Sequence, residues 1–325
     1  MASFRANLFR LSFRAFNIFS SVSKKGFVDT IRKVSAKGIN DKTPDGYIMK
    51  KHTTSCGTAY ERIYKKGEQP SDRAVCFFHG GGYIVGLLFF YRILACDLSR
   101  AFGDADVYLL DYKCAPEHQY PSQLNEAVDM WNELTTKLGY SPSNILLGGD
   151  SAGANLMLAL MLKLRDDGKE LPSAAFGISP WADMTGSGKS LKYNYGKDVL
   201  FGKLGKTLSE EERIKSLDGE LYSFVGTADR YSPYVSPVYG EFEGFPTMFF
   251  TVGGDEILLD DTLRLVEKLK SSSVPVEYDV QPKMFHVYTL FGEIIPESKI
   301  SYKKLMTFVS DRYSELSKKG DRITK

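Results

Sequence analysis

The chain has 325 residues, 43% hydrophobic and 25% charged, with 42 basic against 40 acidic side chains. That composition belongs to a folded globular protein with enough apolar material for a large buried sheet, and its near balance of charge gives no field that would select nucleic acid. No run of 18 uncharged apolar residues occurs, so no transmembrane helix is predicted.

The four cysteines, Cys56, Cys76, Cys96 and Cys114, show neither CxxC nor Cys/His ligand spacing. Buried free thiols, no metal and a reducing cytoplasm are the expectation.

Residues 1–40 carry eight basic side chains (Arg5, Arg10, Arg14, Lys24, Lys25, Arg32, Lys33 and Lys37) and one acid, Asp29. Phe4, Leu8, Leu11, Ala15 and Ile18 recur at helical spacing, with Arg10, Arg14 and Asn17 opposite, which predicts an amphipathic helix. Three uses fit it: a cap packed over the protein's own site, contact of residues 1–22 with a membrane surface, or an organelle transit peptide. The cap is the expected one.

Residues 53–65 offer edge strands. From Ala74 onward, short apolar runs alternate with helical patterns, the mark of βαβ units and a parallel sheet. Strands are predicted at Ala74–Phe78, Val107–Leu110, Ile145–Leu147, Ala174–Ile178 and Met248–Val252, and helices near 88–102, 122–138, 152–167 and 259–271. A half-exposed strand at 276–280 and a final helix near 297–317 close the pattern. No repeat or linker divides the chain, so one domain is expected over 1–325. Its cap would come from about 1–45 and from 185–234, an insertion rich in Gly, Lys, Tyr and Ser with a short acidic helix at Ser209–Ser216.

After the strand at Ile145 comes Gly149-Asp150-Ser151-Ala152-Gly153 and then an apolar helix, a G-x-S-x-G turn. Such a turn needs glycines on both sides and lifts the serine hydroxyl above the sheet, at a helix N-terminus that favours developing negative charge. Upstream, a buried strand ends in His79-Gly80-Gly81-Gly82, a glycine run able to point backbone N–H groups at a substrate oxygen. It lacks the G-K-[ST] ending of a phosphate loop.

A serine nucleophile needs a base, and the chain has only four histidines. His52 precedes the core, His79 lies in the glycine loop and His118 in a Pro-punctuated connection, which leaves His286. The orienting acid should end an intervening strand. Asp255, first past Met248–Val252, is the expected one, with Glu256, Asp260 and Asp261 as competitors. Asp260 and Asp261 fall in the first turn of the next helix. The order Ser151, Asp255, His286 is that of α/β-hydrolases.

With these motifs, and with Asp111-Tyr112, Ala115-Pro116-Glu117-His118, Ser179-Pro180-Trp181 and Tyr234-Val235-Ser236-Pro237, nearly the whole chain resembles the hormone-sensitive-lipase-like group of α/β-hydrolases. The match is to its GDSAG branch, which includes bacterial esterases and arylacetamide deacetylase. Asp111-Tyr112-Lys113-Cys114 departs from the usual Tyr-Arg-Leu.

The resemblance implies an α/β-hydrolase fold, a mostly parallel sheet with helices on both faces and a helical cap. It also implies a serine carboxylesterase for small esters, acetyl to about hexanoyl, with an oxyanion hole from Gly81, Gly82 and Ala152 and no cofactor. Aryl-amide deacetylation and lipase action at a membrane surface are the enzymatic alternatives. A ligand-binding receptor on the same scaffold is disfavoured by His286. Trp181, Tyr83, Phe201 and Tyr193 are candidate pocket aromatics.

Overall fold

A computed structural model describes residues 2–16, 26–36, 43–68 and 70–323. Asn17, Ile18, Lys24, Lys25 and Lys37 of the basic N-terminal segment lie outside the described residues.

Among the described residues, eight strands form one sheet: β1 (Tyr47–Thr53), β2 (Ala59–Lys65), β3 (Ala74–Phe78), β4 (Asp106–Asp111), β5 (Ile145–Asp150), β6 (Ala174–Ile178), β7 (Thr247–Gly253) and β8 (Val276–Gln281). Their spatial order is β1-β2-β4-β3-β5-β6-β7-β8, with the β1–β2 and β2–β4 pairs antiparallel and every pair from β4 to β8 parallel. The central strands β3, β5 and β6 are buried along their whole length, as parallel strands covered on both faces must be.

Ten-residue and longer helices are α1 (Phe4–Phe16), α2 (Phe27–Ala36), α3 (Tyr91–Ala101), α4 (Ser122–Asn132), α5 (Ala152–Asp166), α8 (Leu259–Ser271) and α9 (Pro296–Ile323); α6 (Lys189–Tyr193) and α7 (Glu210–Ser216) are short. Strand alternation sends Cys76, Phe78, Leu147 and Phe250 into one core with α4, α5 and α8. Val75, Phe77, Leu146 and Phe249 go to the opposite core with α3 and α9. In β8, Asp279 is buried because Ser301 and Lys304 of α9 donate to its carboxylate, while Tyr278 is exposed.

The N-terminal helix packs on the body, but by a face other than the expected one. Ala6 is fully buried, and Phe9 and Phe13 meet Phe285 and Phe291 at ring separations of 5.2–5.9 Å. The stripe Phe4, Leu8, Leu11 points outward, and Arg10, expected to face solvent, is turned into the protein. Both sets repeat at helical spacing, so periodicity alone could not choose between them; the aromatic set won because it finds aromatic partners.

The segment between β6 and β7 returns over the carboxyl ends of the strands. Its α7 starts on a capping box in which the Ser209 hydroxyl accepts from Glu212 N–H and the Glu212 carboxylate accepts from Ser209 N–H. Farther on, the Glu220 carboxylate accepts from Gly26 N–H at 2.9 Å and Val28 N–H at 3.0 Å, fixing the start of α2. Arg32 of α2 donates to the Ile84 and Ala115 carbonyls and pairs with Glu117, fastening that helix beside the glycine loop.

Candidate active site

Ser151 sits between β5 and α5 with φ 51°, a left-handed conformation disfavoured for a residue with a side chain. The strain holds because the surroundings leave no room for relaxation. A Cβ on Gly153 would lie 2.0 Å from the Phe78 carbonyl oxygen, and one on Gly149 would lie 2.6 Å from the Gly153 backbone. The two glycines therefore let α5 start against β3 and β5, which leaves the Ser151 hydroxyl at the sheet's carboxyl edge.

His286 Nε2 stands 2.9 Å from Ser151 Oγ. Its Nδ1 is 2.8 Å from Oε2 of Glu256, not from Asp255. Asp255 instead pairs with Arg10 of α1 at 2.7 Å, and Arg10 also donates to the Lys283 carbonyl. The turn after β7 points consecutive side chains in different directions. Glu256, fully buried, folds back to accept from Gly253 N–H and from the Ser179 hydroxyl, while Asp255 looks towards the N-terminal helix. The other competitors hold the cap segment: Asp260 accepts from Ser190 N–H, and Asp261 from Ala182 and Asp183 N–H. Among the remaining histidines, His52 stacks on Tyr60 in the edge sheet and His118 is exposed on its loop.

Burial pulls the His286 imidazole towards its neutral form, but the Glu256 hydrogen bond and charge, with Asp198 and Asp150 behind them, outweigh it and raise its pKa above 6.5. Sequence gave no signal for Asp198, which lies in the irregular insertion. Its carboxylate accepts from Leu200, Phe201 and Ile257 N–H, bringing Phe201 edge-on to His286 at 5.0 Å between ring centres.

On the other side of Ser151, the glycine loop is tied to the turn that carries Ser151 by Asp150. Gly80 N–H donates to Asp150 Oδ1 at 2.7 Å, and the Tyr91 hydroxyl donates to Oδ2 at 3.1 Å. Burial pushes the Asp150 carboxyl up to about 7, against these hydrogen bonds. Gly81 and Gly82 both take positive φ, and Ala152 opens α5. Tyr112, in the stretch that departs from the usual motif, donates to the His79 carbonyl at 2.6 Å and stacks on the His79 ring at 4.1 Å. Tyr112, which keeps the Tyr of the usual motif, thus buttresses the loop from behind, and the departure at Lys113-Cys114 leaves that contact intact.

Ser151, His286, Gly81 and Gly82 open on a cavity of about 260 Å³, walled largely by apolar side chains from both cap segments and the core. Phe13 comes from α1, Leu191, Phe201, Leu221 and Tyr222 from the segment after β6. Of the four candidate aromatics, Trp181 and Phe201 line it. Tyr83 does not: it is fully buried, stacked on Phe224, with its hydroxyl donating to Asn155. Tyr193 is exposed to solvent. Asn155, one turn into α5, also donates to the Trp181 and Val235 carbonyls and so locks the Ser-Pro-Trp and Val-Ser-Pro motifs to the nucleophile helix.

A family model described as the alpha/beta hydrolase fold matches residues 75–290. An esterase of Acinetobacter venetianus is 31% identical over 245 residues, covering 75% of this chain and 77% of the relative. An acetyl-hydrolase of Streptomyces hygroscopicus is 33% identical over 227 residues, 70% of this chain and 72% of its own. The crystal structure of an esterase from the bacterial hormone-sensitive lipase family superposes with a TM-score of 0.80 at 28% identity, over 96% of this chain and 99% of that one.

Proposed function

The chain belongs to the alpha/beta hydrolase fold family, in its hormone-sensitive-lipase-like branch, and we propose that Ser151, His286 and Glu256 are the nucleophile, base and orienting acid of a carboxylesterase. The unbroken line Ser151 Oγ, His286, Glu256 carries this reading, with both contacts under 3 Å. Asp255, the acid expected from sequence, is here a support for α1.

As Ser151 Oγ attacks an ester carbonyl, its proton passes to His286 Nε2. Glu256 fixes the imidazole so that Nε2 is the free base, and stabilises the cation that forms. The negative charge on the former carbonyl oxygen is met by the N–H groups of Ala152, Gly81 and Gly82, each such donor being worth about 3 kcal/mol of barrier. The tetrahedral species collapses by breaking the bond to the alkoxy oxygen, which leaves as the alcohol with the proton from His286. Water, deprotonated by the same imidazole, then attacks the acyl-serine, and the carboxylic acid departs as Ser151 regains its proton.

The two cap segments and the apolar cavity support a small ester with a short acyl chain, acetyl to about hexanoyl, as substrate. All four cysteines are unpaired, Cys56 at the surface, which fits a reducing compartment such as the cytoplasm. The test is a p-nitrophenyl ester series, acetate to decanoate, with the matching anilides as amide controls. We expect hydrolysis of the short esters and a loss of at least about 1000-fold in kcat for Ser151→Ala with an unchanged circular dichroism spectrum. Full activity in the folded variant would refute the assignment.

A further inference from the structure

α1 is apolar on two opposite faces. Ala6, Phe9 and Phe13 pack inward, while Phe4, Leu8 and Leu11 are 83%, 53% and 64% exposed, with no covering group among the described residues. At 100° per residue, the two sets sit on opposite sides of the cylinder. An apolar helix face belongs against another apolar surface, and docking on the body covers only one of the two on α1. Three bulky apolar side chains on one stripe are more than a scattered surface hydrophobe.

We propose that this outer face seats the protein on an anionic lipid bilayer, with the helix axis in the membrane plane. Charge favours that occupant. The segment Phe4–Phe16 holds three arginines and no acid. Arg10 is neutralised by Asp255, but Arg5 is exposed and donates to the uncharged Ile294 carbonyl at 3.5 Å. Ile294 is itself exposed, extending the apolar area beside the first turn of α1. An exposed arginine beside an apolar stripe, in a helix without acids, is the composition of an interfacial helix. A second copy of this chain is the poorer occupant, since face-to-face pairing would set arginine against arginine. The placement suits an apolar substrate: Phe13, on the inner side of the same helix, lines the cavity with Leu290 and Phe291, so the docked face is the outside of the cavity wall. This last point rests on the esterase reading; the binding itself does not.

The test is flotation of the full chain with vesicles of phosphatidylcholine alone and of phosphatidylcholine with phosphatidylserine. The protein is expected to float with the anionic vesicles and to be released by high salt. The combined Phe4→Gln, Leu8→Gln, Leu11→Gln variant, in a residue that keeps helix propensity, should lower the bound fraction about tenfold and leave hydrolysis of soluble p-nitrophenyl butyrate unchanged. Arg5→Gln, which leaves the packed face intact, should weaken binding to anionic vesicles about fivefold. Absence of flotation, equal flotation of the native chain and the triple variant, or a dimer in size-exclusion chromatography abolished by the triple variant without any vesicle binding would each overturn the proposal. If the triple variant lost soluble-ester activity as well, Arg5→Gln decides, and unchanged flotation of that variant overturns it. Flotation needs no turnover, so its failure is separable from failure of the esterase reading.

Discussion

Of two adjacent carboxylates, Glu256 makes the contact with His286 that sequence order assigned to Asp255, and Asp255 pairs with Arg10 instead. Both follow β7, and chain order constrains which strand end supplies the acid without fixing which side chain turns under the sheet. The deciding contacts, Ser179 for Glu256 and Arg10 for Asp255, come from remote segments and leave no local trace. The substitutions separate the roles. Glu256→Gln keeps size but loses the charge that stabilises the imidazolium, and kcat should fall about 1000-fold or more. Asp255→Asn should keep kcat within about threefold and raise KM, because it frees Arg10 and loosens the helix that carries Phe13 into the cavity. Steady-state kinetics of the two variants on one ester check both, and equal losses of kcat would return Asp255 to the site. The base must be neutral to act, and its pKa is raised above 6.5, so kcat/KM of the native chain should fall as pH drops through a value above 6.5. A pH–rate profile flat from pH 5 to 8 would contradict this.

At the scale of elements, the sheet was legible because each central strand is a local apolar run bounded by turn residues, and β3 and β6 begin and end where the pattern does. The nucleophile turn was legible for a related reason: its glycines are demanded by contacts between consecutive elements. That demand is testable. Gly153→Ala would place a Cβ 2.0 Å from the Phe78 carbonyl oxygen, a rigid backbone atom, so β3 and α5 must separate. A destabilisation of about 3 kcal/mol or more is expected in urea unfolding, with activity lost alongside. The cap was legible only in outline. Its α7 carries a local signal, Ser209 with Glu212, whereas the placement of Asp198 and Glu220 depends on hydrogen bonds to distant backbone groups in a segment without period. The packed face of α1 is not legible for the converse reason: two faces satisfy the helical period equally.

For the whole molecule, the groups that build the site set stability and activity against each other in pH. Asp150 is buried beside the nucleophile with its carboxyl pushed up to about 7 from an ordinary 3.8, and His286 is likewise raised. A group whose folded pKa lies above its unfolded value binds more protons in the native state, so its stabilisation is complete below the unfolded pKa and drains away as pH rises through the folded one. For Asp150 that window runs from about pH 4 to 7, and for His286 it begins near 6.5. The acids held low by partners, Asp183 by Ser187, Thr185 and Arg264 and Asp279 by Lys304 and Ser301, act in the opposite sense, and only below about pH 4. Native stability should therefore decline between pH 5 and 8, the interval in which the proposed base, His286, becomes neutral. Asp150→Asn isolates the contribution of one such group. Asn can still accept from Gly80 N–H while its amide donates to the Tyr91 hydroxyl, but it carries no titrating proton. Its stability relative to the native chain should thus improve with rising pH, by on the order of 3 kcal/mol between pH 4 and 8. Urea unfolding of both proteins at a series of pH values gives that difference directly. A constant offset would mean that the Asp150 carboxylate is as well solvated in the fold as in the open chain, and that the oxyanion loop is not held at the cost of a buried charge.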